Sequence, residues 1–169
     1  LDFKADIAAA MAGLDPLHDE NAYGRREQLQ AMDIACDTLI LYAHRHADHA
    51  QELALVESNP TRKAELEKIA DVCNHVPAHA PRDFHEALQY YWFCHLAVIT
   101  ELNGWDSFSP GHLDQHLLPF YRRDIENNNL TKDHAIELLS CRTVIKRKFK
   151  CLFDLTCDLG LTDHQRIQR

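Results

Sequence analysis

Histidines are the first candidates for chemistry in this sequence. His112 and His116 are spaced i, i+4, so on a helix both would face one side, as two zinc ligands must. The zinc protease pattern needs a glutamate directly after the first histidine to activate the metal-bound water, but Leu113 stands there. No third ligand is suggested by spacing. Solvated or core histidines are therefore the favoured interpretation. A histidine-based metal protein ranks third, well behind the two hypotheses given at the end of this subsection.

Two other groups of residues have the wrong spacing for catalysis. His44, His46 and His49 would spread over different faces of a helix. Cys94 and His95 are adjacent, and neighbouring helical residues point about 100° apart, so they cannot form a thiolate–imidazole pair. The sequence also contains no GxSxG, Walker or GxGxxG motif.

The segment from Glu101 to Ser107 combines groups that bind small molecules. It places two acids, an amide, a large aromatic and a hydroxyl where an apolar helix gives way to a loop. Loops held by rigid elements often carry binding residues. From the residues alone, a ligand cavity and a helix cap with Trp105 in the core are equally good interpretations.

The elements that would position these residues are predicted to be helices. Apolar residues recur at helical spacing from Gln28 to Glu57. A shorter amphipathic helix is predicted from Arg62 to Cys73, with Pro60 suited to its first position. The prolines of the segment 76–81 exclude helix there.

A third, strongly apolar helix is predicted from Phe84 to about Leu102. Asp83 can cap it and Glu86 follows three residues later, which is the aspartate form of a capping box. Because its side chains are apolar on nearly all sides, the helix is expected to be buried on most of them. Beyond a loop from Trp105 to Gly111, three short helices are predicted: His112–Leu118, Phe120–Glu126 with Pro119 in its first turn, and Lys132–Cys141 capped by Thr131.

Composition limits the classes of protein to which the chain can belong. It has 169 residues, 46% of them hydrophobic, which suits one compact domain or part of a larger one. The net charge of -8 argues against binding to nucleic acid. No apolar run is long enough to cross a membrane and no signal peptide is visible, so a cytoplasmic protein is expected. The six cysteines include no CxxC pair and are expected to be reduced thiols.

Several blocks of this sequence resemble the pyruvate formate-lyase-like domain of the glycyl radical enzymes. The group includes formate C-acetyltransferases, dehydratases, decarboxylases and C–N or C–S lyases. The resemblance covers residues 1–141 and is strongest from Ile69 to Tyr121. The blocks are Ile69–Cys73, Val76-Pro77, Pro81–Gln89, Trp92-Phe93, Glu101–Gly104, Ser109–His116 and Pro119–Tyr121.

This resemblance implies a radical mechanism inside a ten-stranded α/β barrel, of which the chain would supply a mainly α, helical portion. In the family, an activating enzyme that uses S-adenosylmethionine and an iron–sulfur cluster makes a backbone glycyl radical. That radical takes hydrogen from an active-site cysteine, and the thiyl radical attacks a small substrate. The implied partners are therefore the activating enzyme, a small-molecule substrate and a second subunit in a homodimer.

Two departures from the family pattern limit what can be carried over. The active-site cysteine motif and the glycyl loop do not occur in this chain, so no catalytic residue is assigned and no activity of the chain alone is expected. The family's loop after the Asn-Gly pair contacts substrate, often through a His-Ser pair. Trp105 and Asp106 stand at those places here, and with Ser107 they are the expected substrate contacts.

After Cys141 the sequence leaves the family pattern. The predicted organisation is therefore a partial domain at residues 1–141 and a divergent tail at 142–169, produced by a frameshift or an interrupted gene. The main hypothesis is a fragment of a glycyl radical enzyme whose apolar helix Phe84–Leu102 would expose a large patch. The alternative is a stand-alone helical module that docks on an intact homologue.

Overall fold

The computed structural model of the chain describes residues 2–101 and 111–143, and within these ranges all regular structure is helical. This confirms the prediction of a mainly α chain. The chain divides into two compact units, residues 1–80 and 81–169, and each is described by itself. The helices of the described ranges are α1 (Asp2–Ala12), α2 (Ala22–Val56), α3 (Pro60–His75), α4 (Phe84–Glu101), α5 (Leu113–Glu126) and α6 (Lys132–Thr143).

The first unit is built on a seam of alanines between α2 and α3. The buried alanines of α2 follow the predicted helical spacing, and α3 contributes one buried alanine, Ala70, together with larger apolar residues. Small side chains let two helix backbones approach closely. Not every apolar residue at helical spacing is buried, since Met32 of α2 is 41% and Ile69 of α3 is 36% exposed. The seam comprises Ala43, Ala47, Ala50 and Ala54 of α2 with Leu66, Ala70 and Cys73 of α3.

The helix ends of the first unit are partly those expected. Pro60 is the first residue of α3, and the Asn59 side chain caps that helix by accepting from the amides of Thr61 (3.0 Å) and Arg62 (3.3 Å). The start of α2 lies upstream of the predicted Gln28, and α1 was not predicted at all. Lys4 of α1 pairs with two acids of α2, which holds the short helix against the long one. The segment 76–80 lies outside the helices, as its prolines predict.

The second unit has a core of larger side chains shared by α4, α5 and α6. The core cluster consists of Phe84, Ala87, Leu88, Leu113, Leu117, Leu130, Ala135 and Leu139. The predicted burial of α4 on most sides is only partly found in this chain. Its first turns are buried, whereas Val98 and Ile99 near its end are half-buried.

The two helices predicted on either side of Pro119 are a single helix, α5, with Pro119 inside it. Leu113 and Leu117 are buried on one face of α5, whereas Pro119 is exposed. Water can therefore hydrate the Gln115 carbonyl that loses its N–H partner at this proline. Burial of the apolar face outweighs the local cost of the proline.

The break after α5 and the start of α6 follow the sequence signals. Asn128 adopts a positive φ of 57°, a conformation that asparagine tolerates better than most residues. The Thr131 hydroxyl accepts from the His134 amide at 3.2 Å, which confirms the predicted cap. The helix continues to Thr143, two residues past the predicted Cys141. In the described ranges, no helix has the length and apolar character needed to cross a bilayer.

Candidate functional site

The predicted substrate contacts Trp105, Asp106 and Ser107 lie outside the described residues. The structure describes the two helices that flank them in the chain. α4 ends at Glu101 and α5 begins at Leu113, so the segment 102–112 connects these two helix ends. The described part of the candidate site therefore consists of these two supporting helices.

The two flanking helices share one hydrophobic core. Leu88 of α4 is 1% exposed and Leu117 of α5 is 2% exposed, and both belong to the same cluster of buried side chains. Phe84 and Tyr121 add an edge-to-face ring contact with centroids 5.9 Å apart. Shared burial of this kind restricts how far one helix can move against the other.

The start of α4 is held by the predicted cap. The Asp83 carboxylate accepts from the Glu86 amide at 2.7 Å, as a capping box requires. The Glu86 carboxylate accepts from the amide of Arg82 at 2.6 Å. The Arg82 guanidinium also bonds Glu86 Oε1 through Nε (2.9 Å) and Nη2 (2.5 Å). These charge-assisted bonds compensate a carboxylate whose residue is fully buried.

Asp124 at the end of α5 is the main residue that sequence reasoning missed. It is 4% exposed, and its Oδ2 accepts from the Phe84 amide, the first of α4, at 2.7 Å. Its backbone carbonyl accepts from the amides of Asn129 and Leu130. The neighbouring Arg123 donates from Nη2 to the Arg82 carbonyl. The last turn of α5 is thus hydrogen-bonded to the residues at the start of α4.

A sequence signal for Asp124 did exist. It lies seven residues after Leu117 and eleven after Leu113, on the stripe that the structure shows to be buried. A carboxylate at a buried helical position needs hydrogen-bond donors close by. The identity of the donor could not be read from sequence, because Phe84 is 40 residues away.

The second half of α4, which leads to the segment, carries a buried histidine. His95 is 1% exposed, its Nδ1 lies 3.3 Å from Tyr91 Oη, and its ring stacks on Trp92 with centroids 5.7 Å apart. Burial lowers the pKa of His95, because desolvation disfavours the imidazolium. The adjacent Cys94 is half-buried. Like Cys36 and Cys73, it is present as a thiol.

The histidines that suggested a metal site are not gathered into one. His112 and His116 are both exposed at the start of α5. His46 and His49 are exposed and His44 is half-buried on α2. In the part of the chain that the structure describes, no three side chains of histidine, cysteine, aspartate or glutamate are grouped so that they could hold a metal ion.

The chain matches one family model and is similar in sequence to several characterised proteins. Residues 1–156 match the family model described as pyruvate formate lyase-like. Over 141 residues the chain is 50% identical to the trans-4-hydroxy-L-proline dehydratase of Clostridioides difficile and 43% identical to the isethionate sulfite-lyase of Oleidesulfovibrio alaskensis. Each match covers 83% of this chain, but only 18% of the first relative and 17% of the second.

Solved structures share the same helical arrangement. The crystal structure of hydroxyproline dehydratase from Clostridioides difficile, with trans-4-hydroxy-L-proline bound, matches with a TM-score of 0.79 at 49% identity. That match covers 83% of this chain and 18% of that protein. A glycyl radical enzyme from Archaeoglobus fulgidus matches with a TM-score of 0.74 at 31% identity, over 81% of this chain and 17% of that protein. The chain therefore spans less than a fifth of the length of these relatives.

Proposed function

The chain belongs to the pyruvate formate lyase-like family of glycyl radical enzymes, and from this premise we propose that it is part of a radical dehydratase or lyase that acts on a small molecule. The observation that carries the proposal is the 50% identity to trans-4-hydroxy-L-proline dehydratase over 141 residues. The two relatives compared by sequence above are a dehydratase and a lyase. Formate C-acetyltransferase, which the resemblance also implied, therefore ranks behind these activities.

In this proposal the chain supplies helices and substrate contacts, and the radical chemistry is supplied from outside it. Its 169 residues contain neither the family's cysteine motif nor its glycyl loop, so the chain alone is expected to be inactive. The proposed partners are a small-molecule substrate, an activating enzyme that uses S-adenosylmethionine and an iron–sulfur cluster, and a second subunit. The proposed location is the cytoplasm, which the thiols of Cys36, Cys73 and Cys94 support.

The proposed substrate contacts are Trp105, Asp106 and Ser107. Support comes from their place in the chain, between two helices that share one core and are hydrogen-bonded to each other. A segment anchored at both ends on packed helices can hold an aromatic, an acid and a hydroxyl in a reproducible arrangement.

A hybrid enzyme tests these contacts. In it, residues 1–141 of this chain replace the matching part of the Clostridioides difficile trans-4-hydroxy-L-proline dehydratase. Trp105→Ala, Asp106→Asn and Ser107→Ala are each expected to lower kcat/KM for trans-4-hydroxy-L-proline, while the glycyl radical signal in electron paramagnetic resonance persists. Gln115→Ala, at an exposed position of α5, is the control. If all three variants turned over like the control, the assignment would be wrong.

For the organisation of the chain we propose a partial domain at residues 1–141 and a divergent tail at 142–169 that arises from a frameshift or an interrupted gene. The family model matches as far as residue 156, so the support for this proposal is the sequence pattern after Cys141 and not the extent of that match. Reading the encoding DNA beyond codon 169 in all three forward frames tests it. A family cysteine motif and glycyl loop in a shifted frame would support the frameshift, and their presence in the same frame would exclude it.

The second candidate, a helical module that docks on an intact homologue, is favoured by apolar side chains on the outer face of α2. Ile34 is 65% and Leu41 is 60% exposed, and they lie seven residues apart on one side of the helix. The purified chain would then bind intact dehydratase in a pull-down. Ile34→Asp combined with Leu41→Asp should abolish that binding, whereas Ala35→Asp, at an exposed position about 100° further round the helix, should not.

A further inference from the structure

We propose that a cleft at the junction of α1 and α2 binds a small carboxylate that has an apolar body. The cleft has a volume of about 350 Å³, and small-molecule sites in proteins have volumes of about 300–1,000 Å³. The residues that line it belong to the first unit, whereas the proposed substrate segment belongs to the second. The proposal therefore does not depend on the proposed function.

One part of the cleft wall is apolar. It is formed by Met11 near the end of α1 and by Leu14 and Pro16 of the loop that follows. Met11 and Leu14 are only half-buried, so part of their apolar surface still faces water. Covering that surface with the hydrocarbon part of a ligand is favourable, and the unbranched methionine side chain can adapt to the ligand's shape.

The polar part of the wall comes from one side of α2. Tyr23, Arg26 and Gln30 line the cleft, and their i, i+3, i+7 spacing places them along the same face of the helix. Each carries a hydrogen-bond donor, namely a phenol hydroxyl, a guanidinium and an amide. A guanidinium matches the two oxygens of a carboxylate. The lining therefore suits an anion at one end of the ligand and hydrocarbon at the other.

The charge of Arg26 is available to such a ligand. The neighbouring Arg25 pairs with Asp19 through Nη1 at 3.0 Å. No carboxylate of the described residues forms an ion pair with Arg26, although the chain has 26 acidic residues. The other described residues that line the cleft are uncharged. The cleft therefore favours an anion over a cation.

The loop that forms the apolar wall is held by its own hydrogen bonds. The Asp15 carboxylate accepts from the Leu17 amide at 3.0 Å and lies 2.6 Å from His18 Nδ1. The Asp19 carboxylate accepts from the Asn21 amide at 2.9 Å and pairs with Arg25 of α2, which ties the loop to the helix. A wall that is already ordered lowers the entropy cost of binding.

The two methionines of the full chain give a test with an internal control. Met11 lines the cleft, whereas Met32, which is 41% exposed on α2, is not among its lining residues. In the full chain with ¹³C-labelled methionine methyl groups, phenylacetate should shift the Met11 signal saturably, because its aromatic ring would lie against that side chain. The Met32 signal should stay in place. Met11→Leu assigns the two signals.

Two sets of comparisons test the chemistry of the ligand. The neutral 2-phenylethanol and the cationic 2-phenylethylamine should bind at least about tenfold more weakly than phenylacetate, because neither can pair with a guanidinium. Arg26→Gln should weaken phenylacetate binding by at least about tenfold. Arg45→Gln, at another exposed arginine of α2, should bind like the unsubstituted chain. Ala12→Phe, which adds a ring at a lining residue and keeps the arginine, should block binding.

Three results would overturn the proposal. Equal shifts of both methionine signals would show unspecific contact with apolar surface, and no shift of the Met11 signal would show that the cleft does not take the probe. Binding of 2-phenylethanol as tight as that of phenylacetate would remove the carboxylate from the assignment. Equal affinity of Arg26→Gln and Arg45→Gln, each with the helix content of the unsubstituted chain by circular dichroism, would remove Arg26.

Discussion

The two units of this chain stabilise their helices by different means. In the first unit, α2 and α3 meet along small apolar side chains, and the ion pairs described there lie at the surface. In the second unit, larger side chains form the core, and the buried polar or charged residues among those described, Glu86, His95 and Asp124, all lie there. Apolar packing is non-directional, whereas a buried hydrogen bond fixes the positions of two particular atoms. The second unit, which has the buried hydrogen bonds, is the one that contains the proposed substrate segment.

The largest effect is expected from opening a cavity in the second core. Leu139 is fully buried, so Leu139→Ala should lower the free energy of unfolding by about 2–5 kcal/mol. Urea denaturation followed by circular dichroism measures it. Leu41→Ala, at a residue that is 60% exposed, is the matched control and should change stability by less than about 0.5 kcal/mol. Equal effects would show that Leu139 is not in a packed core.

The alanine seam of the first unit should be destabilised by larger side chains, whereas the second core is destabilised by smaller ones. Ala47 is 1% exposed between helices, so Ala47→Leu should cost about 1–3 kcal/mol through overpacking. Ala35→Leu on the exposed face of the same helix should be nearly neutral. The same denaturation experiment compares them. A seam that accepts leucine at residue 47 without loss would not be closely packed.

A smaller effect is expected at the start of α3. Removing the cap with Asn59→Ala should cost about 1 kcal/mol, because the Thr61 and Arg62 amides lose their acceptor. Thermal denaturation of this variant beside Ser58→Ala, the preceding exposed residue, isolates the contribution of the cap. Identical melting temperatures for the two variants would mean that the cap contributes nothing measurable.

The smallest effect is a pH dependence that arises from His95 of the second unit. Burial lowers the pKa of His95 below its ordinary value of 6.5, so near that pH the unfolded chain binds a proton that the folded chain does not. The resulting stability is complete above pH 6.5 and is lost as the pH falls through the folded-state pKa.

Melting temperatures measured between pH 7.5 and pH 5 check this expectation. The unsubstituted chain should lose more stability on acidification than His95→Gln does. His116→Gln, at an exposed position, should behave like the unsubstituted chain. A parallel pH dependence of His95→Gln and the unsubstituted chain would remove His95 as the cause.

Sequence reasoning succeeded where a feature depends on neighbours in the chain. Pro60 at the start of α3, the Asp83 and Thr131 caps and the alanine stripe of α2 follow from local rules, and the structure confirms them. It failed where distant residues decide the outcome. The continuity of α5 through Pro119 depends on a core built from three helices, and the role of Asp124 depends on an amide 40 residues away.

The candidate site divides in the same way. The family was identified from blocks such as Pro81–Gln89, and the comparisons confirm that the chain belongs to it. Trp105, Asp106 and Ser107 stay a prediction, because they lie outside the described residues. The structure adds a description of the two helices that flank that segment. They share one core, and the buried Asp124 carboxylate near the end of α5 accepts a hydrogen bond from the first residue of α4.

The most direct test of the account is the turnover of the unsubstituted hybrid, in which residues 1–141 of this chain replace the matching part of trans-4-hydroxy-L-proline dehydratase. The measurement is the rate of dehydration per glycyl radical after anaerobic activation. If the chain is part of a radical dehydratase or lyase, that rate should lie within about tenfold of the rate of the parent enzyme, a difference of about 1.4 kcal/mol in the barrier. A hybrid that carries the radical and does not turn over would contradict the account.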